Sequence, residues 1–397
     1  MFIARRDLWF AKGRFALMGA VVAMLALLMV LLTGLATGLV DDNISGVRNL
    51  PASHLAFNAE SGVKFNQSTV ERRQWEEART RPGVQAAAPL GNSLFNAHAF
   101  TSTAAADGAR QEVLARGKST GQEGKAVDLA LFGVEPGSFI APTSTDGQPL
   151  GATERGVVVS EALATKQGVK VGDTLVLDRV GTELPVIGVT SKANYGHVPI
   201  VYAPLAVWQE ASFGPPGGPS AGQELAPAVR NVATLVALDT TTGFSPASVD
   251  ELGLTTVTLT KAFDGSPGYK EETGTLQMIE GFLYVIAAML VGAFFTVWTI
   301  QRKQEIGLIK ALGASNGYLL KDALGQALVV LVVSTAAGVL VGLGLGFVIP
   351  GGAPFALQPA PVLLAAVLVV VMGLIGASLS LRRITKVDPL IALGGAR

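Results

Sequence analysis

The chain contains no cysteine. That excludes disulfides, thiolate zinc sites, iron–sulfur clusters and cysteine nucleophiles, and any domain outside the cytoplasm must be held by its own core. Charge is scarce too: 15% of the 397 residues are Asp, Glu, Lys or Arg, against about 25% in an average soluble domain. The 30 basic and 30 acidic residues cancel, so no basic field points to nucleic acid. The three histidines, His54, His98 and His197, are too scattered for a metal site or a triad. Neither Gly-x-Ser-x-Gly nor Gly-x4-Gly-Lys-Ser/Thr occurs, so the chain has no such loop to cradle a nucleoside triphosphate. No catalytic residue is nominated, and the chain is not expected to be an enzyme.

What the chain does have is long apolar runs. A span of ~30 Å of hydrocarbon needs about 20 apolar residues, and every backbone polar group in it must be paired within a helix. Four runs qualify, predicting an α-helical membrane protein: 15–40, 276–300, 323–349 and 361–381. The first is longer than the 7–15 residues of a signal-peptide core and is expected to be an uncleaved anchor. Outside 41–275 there are twelve Lys and Arg residues. They fall in three clusters: Arg5 to Arg14, Arg302 to Lys321, and Arg382 to Arg397. The 350–360 loop has no charge. By the positive-inside rule, both termini and 301–322 are cytoplasmic, and 41–275 lies outside.

The 41–275 insert is long enough for an independent core. Short β-like runs at 127–134, 156–159, 174–177, 184–189, 232–238 and 254–260 predict a large α+β extracytoplasmic domain between membrane helices one and two. One short helix is marked by Ser160 as N-cap, Glu161 in the first turn and Gly168 as the stop. Residues 213–222, rich in Gly and Pro, and the small, polar stretch 101–125 read as mobile loops.

Gln301–Ser315 predicts a short amphipathic helix closed by Gly313. Ile306, Ile309 and Leu312 recur at three-residue steps, with Glu305 and Lys310 among the polar positions. On pattern alone, a connector lying on the lipid is the commoner meaning; a docking helix for a cytoplasmic partner is the other.

Glu-Ile-Gly-Leu-Ile-Lys-Ala-Leu-Gly-Ala-Ser (305–315) resembles the cytoplasmic motif of permeases in the MacB/FtsX-like family of ABC transporters. Arg-Arg-Ile-Thr-Lys-Val-Asp-Pro-Leu-Ile-Ala-Leu (382–393) and the segment 158–189 resemble the same family. The resemblance implies a dimer in membrane lipid bound to two copies of a separate ATPase that carries ATP and Mg, with no intrinsic cofactor. Glu305, Ile306, Ile309, Lys310 and Leu312 would then form the coupling helix. Chain size and the segment 201–209 look most like the haem-exporting permeases of that family. Efflux of a drug, peptide or lipid, or activation of an extracellular hydrolase without transport, stays open. If haem is the substrate, its iron would need one or two axial ligands. Met29 and Glu210 rank first, followed by Met24, Glu280, Tyr195 and His197. Plain packing is the commoner role of a methionine in such a helix, and a solvated rim is the commoner place for a carboxylate such as Glu210.

Overall fold

The computed structural model describes residues 12–101, 103–116, 124–216, 225–349 and 353–381. The C-terminal motif 382–393, residues 1–11 and most of the 213–222 loop lie outside the described residues. The chain divides into an inserted unit, Val40–Glu272, and a membrane unit made of the residues up to Leu39 and from Thr273 onward.

The first strands of the inserted unit are β1 (His54–Asn58), β2 (Val70–Glu71), β3 (Val84–Phe100), β4 (Lys125–Val134), β5 (Ser144–Gly147) and β6 (Val157–Ser160). Next come β7 (Thr174–Leu177), β8 (Glu183–Thr190), β9 (Asn194–Tyr195) and β10 (Val198–Pro204). Last are β11 (Val232–Ala233), β12 (Leu235–Thr240) and β13 (Leu254–Thr258). The main sheet runs β13-β1-β12-β3-β4-β10-β6-β8-β5. Strand β7 pairs with both β3 and β8, which closes a six-stranded circuit through β4, β10 and β6. Strands β4 and β10 are parallel, as are β6 and β8.

Side chains alternate across this sheet with a period of two. Leu129 and Leu131 of β4 join one apolar cluster with Val157, Val159, Leu175 and Leu184. Ala130 and Phe132 of the same strand join another with Ile200, Tyr202 and, from the first long helix, Ile44 and Val47. Gly91 and Gly133 face each other in register on β3 and β4. A Cβ at either would come within 2.4 Å of Trp208, which covers them from the helix Leu205–Phe213. The sheet lacks side chains there because the indole fills their space.

The short helix Glu161–Gln167 forms as its caps predict. Ser160 Oγ accepts from the Ala162 amide, and Gly168 is left-handed at φ 68°. Two expectations need correction. The 232–238 run is split at Thr234: Val232–Ala233 pairs with β2, while β12 joins the main sheet. The stretch 103–116 is a helix rather than a mobile loop, because Ala106, Ala109 and Val113 fall on one face and pack on Phe100 and Val176.

Four helices in the described residues are long and apolar enough to cross a membrane. Helix one is Lys12–Arg48, helix two Tyr269–Gln301, helix three Asn316–Gly346 and helix four Pro359–Leu381. Their crossings use glycine, as expected where lipid removes the hydrophobic drive and close packing must replace it. Gly338 of helix three lies against the Ala23 carbonyl of helix one, where a Cβ would stand 2.2 Å away. Gly376 of helix four meets the Ala288 carbonyl of helix two, where a Cβ would stand 1.9 Å away. Ser380 Oγ donates to the Gly292 carbonyl across that crossing at 2.7 Å.

Candidate functional site

Within the membrane unit, the polar feature between helices one and two is Glu280. A carboxylate inside a span is costly and marks a functional position unless paired. Glu280 is half-buried, and Thr33 Oγ1 donates to its Oε1 at 3.4 Å. Thr33 stands one turn beyond Met29 on helix one, so the two share a face. Met29 is only 2% exposed and packs in the cluster that holds Val22, Val291 and Phe295. Thr33 and Glu280 therefore meet between helices one and two, and Met29 lies one turn from Thr33 in a core that all four membrane helices share. The spacing of four and the one charge near a span were the signals in the sequence that could have joined them.

The other candidates are placed differently. Glu210 belongs to the inserted unit, is 7% exposed, and both its oxygens are taken by Arg155 at 2.7 and 2.8 Å. That fork holds the carboxylate as a structural anion and keeps the guanidinium charged, its pKa raised by the same hydrogen bond. Glu210 would have to leave Arg155 to bind a metal. Met24 is exposed on helix one. Tyr195 is 1% exposed, and burial drives its phenol pKa up, so the ring acts as a core residue between Phe65 and Phe132. His197 lies in the turn between β9 and β10 and contacts Glu272 and Asp42. Ala23 and Ala26, small residues that could leave room for a flat ligand, are taken up by Gly338 of helix three.

The predicted amphipathic helix is Lys303–Ala311, separated from helix two by Arg302 and followed by left-handed Gly313 at φ 100°. Its apolar residues do not form one stripe. Ile306 points inward, 6% exposed, into the cluster with Trp298 and Ala323. Leu308 and Leu312 stand outward at 52% and 80% exposure, and Ile309 and Lys310 are half-buried. Glu305 is exposed and accepts from Arg302 Nε at 2.6 Å, while Arg302 lies over the Trp298 ring at 4.9 Å. Leu308 and Leu312 carry the outward apolar surface of this segment, while Ile306 anchors the helix.

The family model described as a MacB-like periplasmic core domain matches residues 16–252, and that of the FtsX-like permease C-terminal matches residues 278–389. The chain is an ABC transporter permease of the MacB/FtsX type. The permease is similar along its whole length to a Staphylococcus haemolyticus protein carrying the name hemin transport system permease HrtB. The two are 24% identical over 397 residues, covering 100% of this chain and 99% of that one. A Staphylococcus epidermidis protein of the same name is 23% identical over 399 residues. The macrolide export ATP-binding/permease protein MacB of Wolinella succinogenes is 31% identical over 124 residues, 30% of the permease and 19% of that protein. The solved periplasmic region of MacB from Actinobacillus actinomycetemcomitans covers 54% of the permease at 11% identity and a TM-score of 0.33.

Proposed function

We propose that this permease exports haem from the membrane, driven by a separate ATPase that docks on Lys303–Ala311. The observation that supports haem over other cargo is the length of the match. The HrtB relatives align with the whole chain, inserted unit included, whereas the macrolide exporter aligns with under a third of it. The region where helices one and two meet suits such a cargo. It combines apolar walls with a carboxylate and, one turn from Thr33, a thioether, both able to ligate iron. Met29 and Glu280 are the ligand pair we favour; Glu210 is committed to Arg155. Helices one and two also leave large apolar side chains outward, among them Met24, Leu28, Phe282 and Met289, which suit a second copy of the chain or lipid.

Both termini are cytoplasmic in this reading, with the inserted unit outside. Cysteine-free sequence makes the test direct: Ser245→Cys should react with an impermeant thiol reagent on intact cells, and Ser315→Cys should not. The reverse pattern would refute the orientation. The function is tested by reconstituting the permease with its cognate ATPase in lipid. Haem should stimulate ATP hydrolysis severalfold. Met29→Ala and Glu280→Gln should shift the absorption spectrum of bound haem and blunt the stimulation. Leu312→Asp should abolish hydrolysis coupling while leaving the spectrum unchanged. No stimulation by haem, with stimulation by a macrolide or peptide, would remove haem as cargo.

A further inference from the structure

In the described residues only two non-glycine residues have positive φ, and one is His197 at 66°. It follows Gly196, also left-handed at φ 57°. L-residues populate this region sparsely, histidine more often than most, so contacts that favour the turn help to keep His197 there. What holds His197 is a set of contacts to both helix ends that belong to the inserted unit. Its Nε2 is 3.0 Å from Oε1 of Glu272, in the first turn of helix two. Its Nδ1 is 3.6 Å from Oδ2 of Asp42, near the end of helix one. The backbone repeats the tie: the Gly196 amide donates to the Asn43 carbonyl at 2.9 Å, and the Asn194 amide donates to Ser45 Oγ at 2.9 Å.

The charged neighbours can be named element by element. Helix one presents Asp42, whose Oδ1 also accepts from Asn194 Nδ2 at 2.7 Å and lies 3.5 Å from Lys166 Nζ of the helix Glu161–Gln167. Helix two presents Glu272. Asn43 adds a neutral amide, 3.3 Å from Nε2, that also donates to the Pro267 carbonyl. Arg48 is paired with Asp41. The two carboxylates flank opposite ring nitrogens, so they cannot converge with the imidazole on one cation. Nε2 is within hydrogen-bond reach of Glu272, whereas Asp42, 3.6 Å from Nδ1, can be attracted only by charge, so it is the imidazolium that engages both carboxylates. The ring is also 34% exposed, so protons can reach it.

We propose that His197 is a charge-operated latch: its imidazolium, in the left-handed 196–197 turn, ties the end of helix one to the start of helix two, and loss of its proton or parting of the helix ends releases the turn. Such a latch gives the inserted unit two discrete arrangements, one strained and fastened, one relaxed and open. It does not depend on which cargo the permease carries.

Hydrogen–deuterium exchange on the full chain in lipid nanodiscs tests this, with protection factors corrected for intrinsic rates at about pH 6 and about pH 8.5. In the wild type, peptides covering 41–49, 193–200 and 266–272 should lose protection about tenfold at the higher pH, equivalent to roughly 1.4 kcal/mol. His197→Gln should remove the step and exchange at the high-pH rate throughout. Glu272→Gln leaves the turn's own residues intact and should remove the step in 266–272. The peptide covering β4 reports whether either variant still folds. A wild type with no pH step in the three segments would overturn the latch, and so would a step of unchanged size in His197→Gln. If His197→Gln fails to fold, an unchanged step in Glu272→Gln overturns it.

Discussion

In the inserted unit the largest side chains are the buried ones: Trp75, Trp208, Phe57 and Phe132 are all under 2% exposed. In the membrane unit glycines sit at the crossings, while Met24, Phe282, Leu340 and Phe347 are 62–85% exposed. The membrane unit thus divides its large apolar side chains between an interior that holds Met29 and Phe295 and an outer surface, because its solvent differs. Water drives aromatic area inward, at about 25 cal/mol per Å². Lipid tails are as apolar as leucine, so helices associate through backbone proximity and a few polar contacts, such as Ser380 on Gly292. Glycine therefore means different things in the two units. In the sheet it makes room for one indole; between membrane helices it lets carbonyls approach.

The sharpest way to break that contrast is to add bulk at Gly376. A leucine there meets the Ala288 backbone, which has no rotamer to turn away. Gly376→Leu should abolish monodisperse protein on size exclusion, whereas Gly281→Leu, with nothing within 4 Å of its Cβ position, should behave as wild type. Equal behaviour of the two would mean that helices two and four do not cross there. In the inserted unit the corresponding break is removal rather than addition. Trp208→Ala uncovers Gly91 and Gly133 and should cost about 3–5 kcal/mol in denaturant melts.

Much of the fold was legible because its signals are local. Four apolar runs give the spans, and Ser160 with Gly168 bounds a helix whose caps form as drawn. Strand β3 was not legible. It is 17 residues long, and its stretch Ala87–Gly91 is buried on both faces, so no alternation marks it. The helix 103–116 was hidden by its alanines, whose burial depends on a distant partner, Val176. For the site, residue types were readable but their company was not. Glu210 looks like a free carboxylate until Arg155, 55 residues away, is seen to fork it. Ile306 and Leu312 share a three-residue rhythm, yet only the folded unit reveals that one is an anchor and the other a surface.

The smallest effect expected concerns charge at the surface of the inserted unit. Glu183 of β8 has its pKa raised, first by burial and then by Asp107, against the attraction of Arg110, whose Nε is 3.8 Å away. A carboxyl with a raised folded pKa stabilises the fold in its protonated form. That contribution is complete below its unfolded pKa and is lost as pH rises through the folded one. At neutral pH Glu183 is thus a mild liability, reduced by the quarter of its side chain that water still reaches. Glu183→Gln should raise the melting temperature slightly at about pH 7 and leave it unchanged at about pH 3, below the ordinary glutamate range. Asp107→Asn should act in the same direction by removing the like charge. A lower melting temperature for Glu183→Gln at neutral pH would show instead that Arg110 outweighs burial at this site, and that the start of β8 is held by its ion pair.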